Sequence, residues 1–268
     1  MKIIGIDLGS REVKIIISQN DKIIKKIKIG TMNFYKNYCK FDKKIIVDMK
    51  KFDISDKDIA ISTGYGRNNI DLHQFVAINE IKAHVYGAIN QTGLKDFILL
   101  DIGGQDVKVA KIQNSMITDL ELNDKCAASC GRYLENMANI LEISLDKLTS
   151  YIEEPISLNS TCSVFSESEL IGKIAEGVNI ENLCAGVNFS LYKRIIPMLM
   201  KFKGRKLVLA GGVAKGEAIK KYLAKDYEEI ICLDDPEYNG AIGCLVYGNM
   251  KKIILSEVAT VAKNNNKS

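Results

Sequence analysis

The chain has 268 residues, 47% of them hydrophobic and 26% charged, with a net charge of +4. That is enough chain to bury a sizeable core, as two domains or one large α/β unit. The modest, dispersed positive charge argues against nucleic acid as a partner, and no apolar run approaches the roughly 20 residues of a membrane span.

In chain order, Ile3 to Ile6 and Val13 to Ile17 are apolar runs flanking a short polar stretch. They predict strand, tight turn, strand over 2–18, with a third strand near 22–29. Residues 1–9 read as a core strand and not as a secretory leader, which predicts a cytoplasmic protein with its seven cysteines reduced. No CxxC pair is present, which argues against a zinc ribbon. The lysines at 22–28 and 43–51 alternate with Ile, Phe and Asp and read as solvated edges and faces. Segment 31–52 stays open between helix and loop. Asp58 to Ser62 predicts a buried strand running into a sharp turn at Thr63-Gly-Tyr-Gly-Arg67. Ile78 to Asn90 has helical apolar spacing and carries Glu80 and His84 one turn apart. This pair reads as a surface or capping pair, with metal binding as the alternative.

A second hairpin is expected over 97–112, then helices at 127–142, 164–176 and 181–202, the last ended by Pro197 or Gly204. Lys206 to Ala210 is a short buried strand leading into Gly211-Gly212. A helix at Ala214 to Lys225, a strand at Ile230 to Leu233 and a helix at Gly240 to Met250 follow. Lys263 to Ser268 reads as a disordered tail.

The strongest signal is internal. Asp7-Leu-Gly-Ser-Arg-Glu-Val-Lys14 returns about 94 residues later as Asp101-Ile-Gly-Gly-Gln-Asp-Val-Lys108, with Asp, Gly, Val and Lys at the same offsets. The repeat predicts two similar α/β halves, 1–94 and 95–262, ahead of the tail at 263–268. Glycine after a strand lets backbone N–H groups approach phosphate, here at Gly9 and at Gly103 and Gly104. Asp7 and Asp101 suit Mg²⁺ or water positioning, since hard cations take oxygen ligands. Ser10 offers a hydroxyl, Lys14 a charge, Gln105 a group to orient water, and Asp106 a second carboxylate. Strand Leu207 to Ala210, then Gly211-Gly212-Val213, then a helix, adds a surface for adenosine and a helix start that favours anions. Together these elements predict a clamp that holds a metal-chelated polyphosphate from both halves.

These motifs resemble the actin, sugar-kinase and Hsp70 ATPase superfamily, and so imply duplicated ribonuclease-H-like domains. Within it, the chain resembles the ATP-dependent activators of 2-hydroxyacyl-CoA dehydratases, the BadF/BadG/BcrA/BcrD ATPase family. The stretches that carry this resemblance include Gly5-Ile-Asp-Leu-Gly-Ser10, Glu80-Ile-Lys-Ala-His84, Asn123-Asp-Lys-Cys-Ala-Ala128, Cys162-Ser-Val-Phe-Ser-Glu-Ser-Glu169, Gly211-Gly-Val-Ala-Lys215 and Tyr238-Asn-Gly-Ala-Ile-Gly243. The resemblance implies ATP/ADP and Mg²⁺ as ligands, with Lys215, Glu237 and Gly240 joining the glycines above at the nucleotide.

Cys126 and Cys162 each precede a predicted helix, with Asn123-Asp124 and Ser160-Thr161 nearby as capping residues. Free N–H groups and partial positive charge at a helix start suit an iron–sulfur cluster. Such a cluster normally takes four cysteines, so a two-fold dimer in which each copy gives Cys126 and Cys162 to one [4Fe-4S] cluster satisfies it. The resemblance implies the same arrangement, with ferredoxin or flavodoxin as electron donor and an iron–sulfur acyl-CoA dehydratase or reductase as acceptor.

Two departures from the family stand out. Where relatives carry Gly-Thr-Gly after Cys126-Ala-Ala, this chain has Ser129-Cys130-Gly131. Cys130 would lie one turn beyond Cys126 on the same helix face; it reads as a packing residue, or else as a spare thiol beside the cluster or a ligand to it. Arg11-Glu12 replaces small hydroxyl residues in the first loop. Cys39, Cys184, Cys232 and Cys244 read as core cysteines. The competing readings are a small-molecule kinase of the N-acetylhexosamine type, an activator of a benzoyl-CoA or double-cubane reductase, and a nucleotide-gated filament protein.

Overall fold

The structure is a computed structural model that describes residues 1–71, 75–123, 126–159, 162–202, 204 and 206–265; for 127 and 253–265 it describes the backbone alone. The chain forms two units, Met1–Gln91 with Tyr238–Ser268, and Thr92–Glu237.

The first unit opens with β1 (Lys2–Leu8), β2 (Glu12–Gln19) and β3 (Lys22–Gly30). α1 (Thr31–Tyr38) and a small hairpin, β4 (Cys39–Phe41) with β5 (Ile45–Val47), fill the segment that sequence left open. β6 (Ile59–Gly64), β7 (Val76–Ala77) and α2 (Glu80–Thr92) follow. The sheet order is β3-β2-β1-β6-β7, with β1, β6 and β7 parallel and the hairpins antiparallel. β1 reads as a nearly unbroken apolar run because both its faces are covered. β3 is one of the two edge strands, and its lysines solvate a rim that would otherwise recruit another strand.

The second unit repeats the plan. β8 (Phe97–Ile102), β9 (Val107–Gln113) and β10 (Met116–Asn123) form the meander. Then come α3 (Gly131–Ile140), α4 (Leu145–Leu148), α5 (Ser163–Ala175), α6 (Ile180–Leu199), β11 (Lys206–Ala210), α7 (Glu217–Leu223) and β12 (Glu229–Cys232). The order β10-β9-β8-β11-β12 matches the first sheet strand for strand. Pro197 sits inside α6, so the helix runs past it to Leu199 and does not end there.

α8 (Asn239–Asn265) belongs to the first unit, not the second. Ala241, Ile242 and Leu245 pack with Ile3 and Ile16, and Cys244 packs with Ile61, Ile78 and Ala83. The halves expected at 1–94 and 95–262 are therefore redrawn: the last helix returns to cover β1 and β6. Of the tail expected at 263–268, residues 263–265 lie within α8 and 266–268 lie outside the described residues. No helix among the described residues is long and apolar enough to cross a membrane.

Candidate functional site

The two octets occupy equivalent places. In the first unit Asp7, the last residue but one of β1, lies opposite Lys14 of β2 and beside Thr63 of the parallel β6. In the second, Asp101 pairs with Lys108 of β9 and lies beside Ala210 of the parallel β11. The next residue in each case is a left-handed glycine, Gly64 at the end of β6 at φ 87° and Gly211 just after β11 at φ 83°. A Cβ on Gly64 would stand 2.7 Å from Asp7 Oδ1, and one on Gly211 would stand 2.6 Å from Asp101 Oδ1. Each carboxylate thus nests against a glycine that only an unsubstituted residue allows. Gly211 was expected to matter for nucleotide contact; the equivalent role of Gly64 was missed, although its place at a strand end matches that of Gly211.

Both aspartates are buried, Asp7 at 7% and Asp101 at 2% exposure. Lys108 answers the charge in the second unit, 3.5 Å from Asp101 Oδ2 and 2.7 Å from Asp106 Oδ2. In the first unit Lys14 meets Glu12 at 3.6 Å, and Lys28 meets the other Glu12 oxygen at 3.7 Å. Glu12 and Asp106 hold the same octet position, so Glu12 supplies the lysine partner that Asp106 supplies in the repeat. The residues expected at the loop tips, Ser10 and Gln105, are exposed; Gly9, Gly103 and Gly104 are half-buried. Gly103 N–H closes the second loop onto the Asp106 carbonyl at 2.9 Å.

The expected adenosine segment is gathered in the second unit. Gly211 N–H donates to the Pro236 carbonyl at 2.9 Å, which draws 236–237 alongside the glycine pair. Lys215 forms an ion pair with Glu237 Oε1. Glu237 Oε2 is buried and has no hydrogen-bond partner among the described residues, a carboxylate oxygen left to accept from something else. Val213 packs against the start of α3, where a Cβ on Gly131 would meet its Cγ2 at 3.3 Å. Gly212 is exposed. Gly240, in the first unit, lies beside Asp7: a Cβ there would stand 2.7 Å from Asp7 Oδ2.

The cysteines separate by exposure. Cys126 and Cys162 are exposed, Cys39 and Cys232 half-buried, and Cys130, Cys184 and Cys244 buried. Cys162 is the N-cap of α5 as expected. Cys126 is not at an α-helix start: residues 127–129 make a 3-10 turn and α3 begins at Gly131, with extended Cys130 as its cap. Cys130 therefore does not continue a helix face from Cys126. It packs beside Tyr133 and Leu134, and burial pushes its thiol up. Burial pushes the Cys39 and Cys184 thiols to about 11 and Cys244 well above the ordinary range, as packing residues require. The capping expected from Asp124, Ser160 and Thr161 lies outside the described residues. Among the described residues no three His, Cys, Asp or Glu side chains gather as a metal-binding group. His84, expected at the surface or on a metal, is buried.

Loop and cysteine segment are joined by backbone. Gly131 N–H donates to the Gly103 carbonyl and Arg132 N–H to the Gly104 carbonyl, both at 2.9 Å. The first amides of α3, which have no partner inside the helix, are thus satisfied by the second phosphate loop.

The twice-repeated five-stranded sheet is a fold also found in sugar kinases. A ROK family glucokinase from Streptomyces griseus shares this fold at TM-score 0.52 and 12% identity, over 91% of this chain and 98% of that one. More narrowly, residues 4–248 match the model of the BadF/BadG/BcrA/BcrD ATPase family, and the chain belongs to that family. It is 33% identical to the (R)-2-hydroxyglutaryl-CoA dehydratase activating ATPase of Acidaminococcus fermentans, over 92% of this chain and 97% of that protein. It also matches the activator of the 2-hydroxyisocaproyl-CoA dehydratase from Clostridium difficile with bound ADPNP, at TM-score 0.82 and 30% identity, covering 96% and 98% of the two chains.

Proposed function

We propose that this chain is an ATP-driven activator of an iron–sulfur 2-hydroxyacyl-CoA dehydratase or a related reductase, and that it delivers single low-potential electrons. The observation that carries this reading is the exposure of Cys126 and Cys162, alone among the seven cysteines, in the unit that also holds the second phosphate loop. Similarity along nearly the whole chain to dehydratase activators supports it.

In the first unit Asp7 offers hard oxygens to Mg²⁺ or its water, with Lys14 tuning the charge; in the second Asp101 does so, with Gln105 to align water and Asp106 to tune the charge. Backbone amides at Gly9, Ser10, Gly103 and Gly104 meet phosphate oxygens. Gly211, Gly212 and Val213 face the adenosine, Lys215 holds Glu237, and the free Glu237 oxygen accepts from a ribose hydroxyl. Cys126 and Cys162 provide half of a four-thiolate set, so two copies of the chain complete it. A [4Fe-4S] cluster held by these thiols supplies one-electron chemistry, with ferredoxin or flavodoxin as donor. The bonds from α3 to Gly103 and Gly104 tie loop 2 to the segment that follows Cys126. A loop position that differs between ATP and ADP states is thereby felt at the cysteine.

Iron counting tests the ligand set. Anaerobically purified protein should hold about four irons per two chains. Cys126→Ser and Cys162→Ser should each remove the brown chromophore while MgATP still binds. Retention of four irons in either variant contradicts the assignment.

A further inference from the structure

His84 is one of two histidines in the chain and is buried, at 7% exposure. α2 carries it with Gln91 two turns further on, on the same face. Asn239, the fully buried first residue of α8, meets that face. One atom of its side-chain amide lies 2.8 Å from the His84 backbone carbonyl. A carbonyl only accepts, so that atom is Nδ2, the donor. Gln91 Nε2 donates to Asn239 Oδ1 at 3.0 Å, which fits the same orientation. The same Nδ2 stands 3.5 Å from His84 Nδ1. An amide NH₂ has only hydrogens to offer, which disfavours a proton on Nδ1 alone and puts one on Nε2.

Nε2 lies beside Gly240. A Cβ on Gly240 would stand 3.1 Å from His84 Nε2 and 2.7 Å from Asp7 Oδ2. A proton-bearing nitrogen and a carboxylate oxygen therefore converge on one spot, kept open by the missing side chain. The start of α8 adds its partial positive charge beside the buried carboxylate.

We infer that His84 is a positioning residue for ATP hydrolysis. Its Nε2–H fixes the Asp7 carboxylate in the orientation that meets Mg²⁺ and water, and the Gln91–Asn239 amide pair sets the tautomer that makes Nε2 the donor. Outer hydrogen bonds of this kind orient the groups that touch metal or substrate, and their loss costs about 10- to 100-fold. The inference rests on the reading of Asp7 given above and needs no particular electron acceptor.

The test is steady-state hydrolysis of MgATP by the purified protein, with the thermal midpoint recorded for every variant. His84→Ala should lower kcat about tenfold or more with KM for MgATP nearly unchanged, because a misaimed carboxylate slows the reaction step. His84→Gln, whose amide N–H reaches to the place of Nε2, should recover kcat to within about threefold of the native value. Wild-type kcat in His84→Ala overturns the inference. So does a His84→Gln enzyme that folds normally and is as slow as His84→Ala, or slow in its own right if the alanine variant does not fold. Asp7→Asn with undiminished kcat would instead bring down the reading of Asp7. Hydrolysis that behaves as stated in a protein that activates no dehydratase would bring down the proposed function and leave His84 in place.

Discussion

Gly64 and Gly211 do for the two aspartates what no side chain could. Gly211→Ala forces a left-handed φ on an L residue and sets a methyl group against Asp101 and the Ile102 backbone. It should cost about 1–3 kcal/mol in urea denaturation, and MgATP affinity should fall with it. The cysteines make a second residue-scale prediction. In iron-free protein at pH 8, alkylation followed by mass spectrometry should label Cys126 and Cys162 quickly. Cys130, Cys184 and Cys244 should stay unmodified until the chain unfolds, because they are buried and burial pushes their thiols up. The octets were legible because a strand–turn–strand constrains residue type at every position. The ion pairs inside them were not: Lys14 finds Glu12, a residue that sequence reading took as a mere departure at the loop. His84 was misread because an i, i+4 pair with Glu80 says nothing of what packs against it from α8.

At the scale of elements, helix starts were misjudged where tertiary contacts decide them. The expected helix at 127 begins at Gly131, where the carbonyls of Gly103 and Gly104 accept its first amides. β10 was missed because its residues are mostly exposed on both faces, so no buried period marks it. α5 and α6 differ in anchoring. Of α5 only Ser166 and Leu170 are buried, whereas most of α6 is buried along its length. In hydrogen exchange of the iron-free protein, α5 amides should exchange much faster than those of α6. Leu170→Ala should cost about 2–5 kcal/mol and accelerate exchange in α5 first. Equal protection of the two helices would mean that α5 is held by more than these two residues.

For the whole molecule, the duplication could be read from the octets, but the return of α8 to the first unit could not, because nothing local says which sheet a terminal helix covers. Ile3, Ile16 and Ile61 depend on α8 for part of their cover. A chain ended before Tyr238 should therefore expose the β1–β6 face and aggregate or unfold, as read by dye binding and circular dichroism. If ATP hydrolysis by this protein drives electron delivery to a dehydratase, as proposed, activation depends on both together. The direct measurement is an anaerobic reconstitution with reductant, MgATP and a purified 2-hydroxyacyl-CoA dehydratase. Dehydration should begin only with this protein and ATP together, and should be absent with the Cys126→Ser or Cys162→Ser variant. A colourless protein that leaves the dehydratase inactive and transfers phosphate from ATP to an amino sugar would contradict the account.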